Sequence, residues 1–134
     1  MILDFHIVEL EGEDLRTIVF LGSNAAYPIH SWVRNNVFCG VEPEHECVIP
    51  HEKLIKLRDT LDIVRGYNND EEEGKLVDCL IRNFPGIDMI DDLHYFMEIV
   101  VFQLYWKLVR AIESKDFWDK EYLYRCSWEE ETYE

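Results

Sequence analysis

The chain has 134 residues, and 13 Lys and Arg stand against 28 Asp and Glu, which gives a formal net charge of −15. So negative a surface repels phosphate backbones and anionic lipid, which excludes ordinary nucleic-acid binding and adsorption to membranes. Apolar residues (48%) are too many for a disordered chain, and the length fits a single domain over 1–134, with a short acidic tail at its C-terminal end.

The first half of the chain predicts a hairpin followed by a helix. Residues Ile2–Leu10 and Thr17–Leu21 mix alternation with β-branched residues, and Glu11–Asp14 between them has turn composition. A helix is expected from about Gly22 to Phe38, and 39–49 is expected to be a loop. The residues of this helix that should face the core are Ile29, Trp32, Val33 and Val37.

The second half predicts three more helices and a third strand. Pro50 begins a helix whose inner face is expected to consist of Leu54, Leu57, Leu61 and Val64. A short helix should end at Phe84, and the longest should run from Asp91 or Asp92 to Ser114. Tyr122–Cys126 alternates like a strand. The predicted fold class is therefore α+β: a small antiparallel sheet, formed by the N-terminal hairpin plus the C-terminal strand, packed against about four helices.

The longest helix is apolar on two faces. Its expected core face consists of Leu93, Phe96, Met97, Val100, Val101, Leu104, Leu108, Ala111 and Ile112. The second stripe, at steps of four and three, consists of Tyr95, Ile99, Phe102, Trp106 and Val109. A two-sided helix is either central in its domain or bound to something on its second face. Of these two, we expect that the helix is central and that its second face is buried within the domain. Whether the chain self-associates as a homodimer stays open.

The composition also predicts a cytoplasmic protein. The N-terminus has no basic stretch followed by an apolar one, and the apolar run Leu93–Leu108 is interrupted by charged and polar residues. The four cysteines have no regular close spacing, which is typical of a reducing compartment.

One loop contains zinc-ligand residue types. Cys39, His45, Cys47 and His51 are spaced C-x5-H-x-C-x3-H, which matches no tight zinc knuckle. We therefore interpret the segment as a polar loop and expect no metal. The chain also has no glycine-rich phosphate loop and no nucleophile signature, so no cofactor and no catalytic residue are predicted; whether it is an enzyme stays open, leaning towards no.

Clusters of acidic residues are candidates for an interaction surface. They serve either solubility alone or docking to a basic surface, including mimicry of DNA phosphates. The three aspartates before the longest helix are expected to be helix-entry caps rather than a catalytic pair. The candidate partner interface consists of Asp70, Glu71, Glu72, Glu73, Asp88, Asp91, Asp92, Tyr95, Phe102 and Trp106.

Three stretches together resemble a group of small bacteriophage and prophage proteins. Residues 29–37 (IHSWVRNNV) are similar to the group's I-H-x-W-F-V-x-N-V segment. Residues 46–49 (ECVI) resemble the group's short strand before a leucine-rich helix. Residues 122–128 (YLYRCSW) resemble the Y-x-S-S-W segment that ends the group's proteins. The chain departs from the pattern at 25–28 (AAYP), where members carry an Arg/Lys-Ala-Asn run.

The resemblance implies a small acidic α+β protein and a patch of polar and aromatic residues. The carried-over candidates are His30, Trp32, Asn36, Tyr124, Ser127 and Trp128. By itself, His30 is expected to be a structural histidine bonded across the core. The leading hypothesis is a non-enzymatic phage-type protein that binds and blocks a host protein with a basic surface, such as a defence nuclease or other DNA-binding protein. The alternative is a small-molecule or nucleotide-binding protein, possibly an enzyme, that uses His30, Tyr124 and Trp128.

Overall fold

The computed structural model of the chain describes residues 2–22, 27–40, 46–66, 73–84, 87 and 95–129. These residues form one four-stranded antiparallel sheet, in the order β2-β1-β4-β3, together with four helices. The predicted α+β fold class is confirmed.

A hairpin forms the N-terminal half of the sheet. Strand β1 (Ile2–Glu11) pairs with β2 (Asp14–Gly22), and Glu11 lies opposite Asp14. Gly12 has φ of +64°, the left-handed conformation that a two-residue hairpin loop needs and that glycine adopts without strain. Both strands are longer than the alternation predicted, because residues close to a hairpin turn continue the ladder whatever their polarity.

The C-terminal strand completes the sheet beside β1. Strand β4 (Glu121–Glu129) pairs with β1 from Leu10 back to Ile2, and β3 (Glu46–Val48) pairs with the other edge of β4. An ion pair between Glu46 and Arg125 joins β3 to β4. The prediction of a loop over 39–49 is therefore wrong for its last part, since three residues are too few to show a period of two. The short strand implied by the phage-protein resemblance is present here.

Within the described residues, the first two-thirds of the chain contains three helices. They are α1 (Tyr27–Asn36), α2 (His51–Arg65) and α3 (Glu73–Asn83). Pro50 lies immediately before α2 with φ of −63°, where its missing N–H costs no helical hydrogen bond. The predicted inner face of α2 is confirmed, because its four apolar residues are at most 1% exposed.

The longest helix, α4 (96–113), has two kinds of turn. Phe96–Phe102 is π-helical, and the α-helical part is Gln103–Glu113. A single 3-10 turn (Phe117–Asp119) then leads into β4. The predicted start at Asp91 or Asp92 lies outside the described residues, and the period of 3.6 residues assumed for the apolar faces does not hold over Phe96–Phe102. The predicted core face is confirmed at seven positions, whereas Ile112 is partly buried and Leu93 lies outside the described residues. The seven buried residues are Phe96, Met97, Val100, Val101, Leu104, Leu108 and Ala111.

The core lies between the helices and one face of the sheet. Alternate strand residues Ile7, Tyr122, Tyr124 and Cys126 belong to the same buried cluster as the inner residues of the helices. No helix in the described part of the chain is long and apolar enough to cross a membrane.

Candidate functional site

His30 and Tyr124, predicted to share a patch, form a hydrogen-bonded pair inside the core. The Nδ1 atom of His30 lies 2.6 Å from the hydroxyl of Tyr124, and both residues are 0% exposed. Helix α1 supplies the histidine and strand β4 the tyrosine, so the bond joins two elements 94 residues apart in sequence. The expectation of a structural histidine that bonds across the core is confirmed.

The other predicted patch residues whose side chains the structure describes do not form a ligand surface with this pair. Trp32 is 2% exposed, and Asn36 donates from Nδ2 to the carbonyl of Trp32 at 2.9 Å. Ser127 is half-buried and follows Cys126, so the alternation of β4 turns it towards the sheet face opposite Tyr124. Trp128 lies in β4 opposite Leu3, and its side chain is outside the described part of the structure. Tyr124 has no exposed surface on which a ligand could stack, and the part of Trp128 in the alternative function stays a prediction.

The zinc-type residues are not brought together. Cys39 is exposed, Cys47 is half-buried in β3, and His45 is outside the described residues. His51 donates from Nε2 to the carbonyls of Phe117 and Lys120, at 3.0 and 2.7 Å. That nitrogen therefore carries a hydrogen and fixes the 3-10 turn before β4. Over the described ranges, no group of three or more His, Cys, Asp or Glu is placed to hold a metal ion.

The acidic clusters fall mostly outside the described residues. This applies to Asp70, Glu71 and Glu72, to Asp88, Asp91 and Asp92, and to the tail after Glu129. Glu73 begins α3, but its side chain is not described. Their role as an interface stays a prediction.

Aromatic side chains gather on the outside of α4. Phe102, Tyr105 and Trp106 surround the guanidinium of Arg65, whose Cζ lies 5.9, 4.0 and 5.1 Å from their ring centroids. These distances are within the range of cation–π attraction. Arg65 also forms an ion pair with Asp62 at 3.0 Å. We call Phe102, Tyr105 and Trp106 the aromatic cluster; Trp106 is 52% exposed.

The cluster corrects the predicted second stripe in two ways. Tyr95 and Trp106 are about half exposed, so the expectation of central burial is wrong for both. Of the stripe, Phe102 and Trp106 lie beside the guanidinium of Arg65. Tyr95 is also separated from Phe102 by π-helical turns, which are wider than the 3.6 residues assumed in the spacing. The stripe therefore does not continue in line from Phe102 to Tyr95.

An ion-pair network built on the buried pair of Glu9 and Lys120 lies beyond the C-terminal end of α4, where the hairpin meets the start of β4. The ammonium of Lys120 is 3.2 Å from Glu9 Oε1 and 3.0 Å from Asp116 Oδ2. The Glu9 side chain is 10% exposed and that of Lys120 is 12% exposed. The hydrogen bonds to Asp116 and Glu9 raise the pKa of Lys120, and the bond from Lys120 lowers the pKa of Asp116.

A cleft of about 260 Å³ opens above this network. We call it the cationic cleft, and its lining residues are Glu9, Arg16, Thr17, Ile18, Lys107, Arg110, Ala111, Ser114 and Lys120. Four of the chain's 13 cationic residues and one of its 28 acids line it. Sequence reasoning missed this site, because its cations lie at 16, 107, 110 and 120 and only the packing of α4 on the hairpin brings them together.

Tyr122 is buried beside the same network without a hydrogen bond. Its hydroxyl finds no partner in the described part of the chain, and the residue is 0% exposed. Burial, reinforced by the Glu9 carboxylate, raises the pKa of Tyr122 from 10.0 to about 12.

We predict that Tyr122→Phe stabilises the protein and flattens its alkaline unfolding. Near neutral pH the variant should gain roughly 1 kcal/mol, because a hydroxyl buried without a partner is removed. As pH rises from 10.0 towards about 12, the unfolded tyrosine ionises before the folded one, so wild-type stability falls in this window. Urea unfolding at several pH values measures both effects. Equal alkaline slopes for the two proteins would contradict this origin of the loss.

Comparison of the chain with protein-family models, with curated proteins and with solved structures finds no match in any of the three. The fold and the geometry above therefore carry the functional argument.

Proposed function

We propose that this protein is a non-enzymatic binding protein that docks onto a basic surface of another protein through the aromatic cluster, with the net negative charge of the chain attracting that surface at long range. In the setting that the phage-protein resemblance implies, the partner is a host protein, such as a defence nuclease or other DNA-binding protein, and docking blocks it.

The observation that carries the proposal is the exposure of Trp106 within an ordered cluster. A half-exposed tryptophan, held in place by Arg65 and by Tyr105 at a ring-centroid distance of 5.1 Å, costs little conformational entropy on binding. Tryptophan, tyrosine and arginine are the residues most enriched among interface hot spots. The cluster therefore has the composition of an anchor.

Charge supports a basic partner over an acidic or neutral one. The chain carries −15 overall, and residues 67–134 hold 17 acids against 7 bases. Long-range attraction raises the rate of encounter with a basic surface and repels acidic proteins. Acids arranged at the spacing of DNA phosphates would direct the same attraction to a nucleic-acid-binding site.

Affinity capture from host lysate tests the proposal. The expected result is a stoichiometric partner of high isoelectric point that wild type retains at low salt and releases as salt is added, because screening weakens attraction between exposed charges. Capture must also be weakened by Trp106→Ala. A partner that this variant retains as well as wild type does would contradict docking through the cluster.

A second copy of this chain is the competing occupant of the cluster. Like charges oppose a homodimer, so we predict that the free protein sediments as a monomer at low and at moderate salt. Sedimentation velocity at two salt concentrations measures this. A dimer that strengthens with salt and disappears with Trp106→Ala would assign the cluster to self-association instead.

A further inference from the structure

The four cations of the cationic cleft differ in whether an acid neutralises them. Lys120 forms ion pairs with Glu9 and Asp116. Arg16 reaches Glu9 only at 3.9 Å, and its side chain is 83% exposed. Lys107 and Arg110 form no ion pair with any residue that the structure describes. Three cations therefore converge on one opening in a chain where acids outnumber bases about two to one.

The helix dipole does not account for this convergence. Arg110 lies in the last turn of α4, where a cation is favourable, but Arg16 comes from β2 and gains nothing from that helix. The terminal carbonyl of Ala111 already accepts hydrogen bonds from the Ser114 hydroxyl at 2.8 Å and from its amide at 3.3 Å. The helix dipole therefore does not explain why cations from α4 and from β2 meet at the cationic cleft.

We propose that the cationic cleft binds a small phosphate-bearing anion. Arg16 and Arg110 present guanidinium groups, which match the oxygens of phosphate two at a time, and Lys107 adds a point charge. The hydroxyl-bearing residues Thr17 and Ser114 also line the cleft. Its volume suits a small phosphorylated molecule, while the net charge of −15 repels a long nucleic-acid strand. The proposal does not rest on the proposed protein docking, although Lys107 and Arg110 also line a neighbouring cavity with Phe102 and Trp106 of the aromatic cluster.

Glu9 is the one acidic residue among the described residues that line the cationic cleft. Its carboxylate holds Lys120 in place and at the same time repels an anion above it. Glu9→Gln keeps the shape and a hydrogen-bond acceptor for Lys120 but removes the negative charge. This variant is expected to bind the anion several-fold more tightly, a gain that loss of folding cannot imitate.

Pyrophosphate is the probe for the test. Isothermal titration of the wild-type protein at low ionic strength should give saturable one-to-one binding, and the amide signals of Thr17 and Ser114 should shift in a heteronuclear NMR titration. Arg16→Gln and Arg110→Gln, both at exposed side chains, should each weaken binding about tenfold, as expected for loss of a charge-assisted hydrogen bond.

Lys115→Gln is the matched control. It removes the same charge from an exposed residue one position beyond Ser114, outside the lining of the cleft. Unchanged affinity of this variant for pyrophosphate supports the site. A loss of affinity as large as that of Arg16→Gln and Arg110→Gln would show that the anion responds to overall charge, and would overturn the proposal. No saturable binding to wild type, or no shift at Thr17 and Ser114, would also overturn the proposal. Citrate supplies carboxylates of similar charge, and tighter binding of citrate than of pyrophosphate would overturn the assignment to phosphate.

Discussion

Tyr124→Phe is expected to lower the free energy of unfolding by roughly 1–3 kcal/mol, the cost of leaving a buried polar group without its partner. The change removes one oxygen atom and keeps the ring that packs in the core. It leaves Nδ1 of the fully buried His30 without the bond that it makes at 2.6 Å. Equilibrium unfolding in urea at neutral pH measures the loss.

Tyr122→Phe is the control for this substitution. Tyr122 lies two residues earlier on the same face of β4 and is equally buried, but its hydroxyl has no partner among the described residues. The same chemical change should therefore destabilise the protein at one position and stabilise it at the other. If Tyr124→Phe stabilised the protein as well, the bond between His30 and Tyr124 would not contribute to stability; if Tyr122→Phe destabilised it as well, the Tyr122 hydroxyl would have a partner.

Trp106→Ala is expected to weaken binding to the captured partner by about thirtyfold, equivalent to about 2 kcal/mol, which is the magnitude typical of an interface hot spot. The side chain is 52% exposed, so its removal leaves the core intact. The loss should appear mainly as faster dissociation, because the charges that govern encounter are unchanged. Surface plasmon resonance with the purified partner separates the two rates.

Trp118→Ala is the matched control for the interface. Trp118 is 66% exposed, in the 3-10 turn before β4, where it stacks on His51 at a ring-centroid distance of 5.2 Å. It is an equally large surface aromatic that contributes nothing to the aromatic cluster. If both variants weaken binding alike, the partner recognises exposed aromatic surface in general, and the cluster is not the anchor.

The candidate sites were less predictable from sequence than the helices. The grouping of His30 with Tyr124 followed from a resemblance, and the expectation of a core position applied to His30 alone, so the full burial of Tyr124 was not predicted. The grouping of Phe102 with Trp106 followed from a spacing of four, which the α-helical part of α4 preserves. Tyr105 joins them because it packs edge-on against Trp106 and because Arg65 at the end of α2 lies over all three rings.

The sequence by itself determined the fold class and which face of each long helix is buried, because apolar residues at helical or alternating spacing leave one energetically acceptable side for the core. It also determined the charge, and with it the kinds of surface that the protein avoids. Only the tertiary structure decided what lies at the surface of α4. The π-helical turns break a period that local spacing assumes, and the cationic cleft joins residues about a hundred positions apart. Such convergence depends on how β2 packs beside α4, and no local pattern in the chain encodes it.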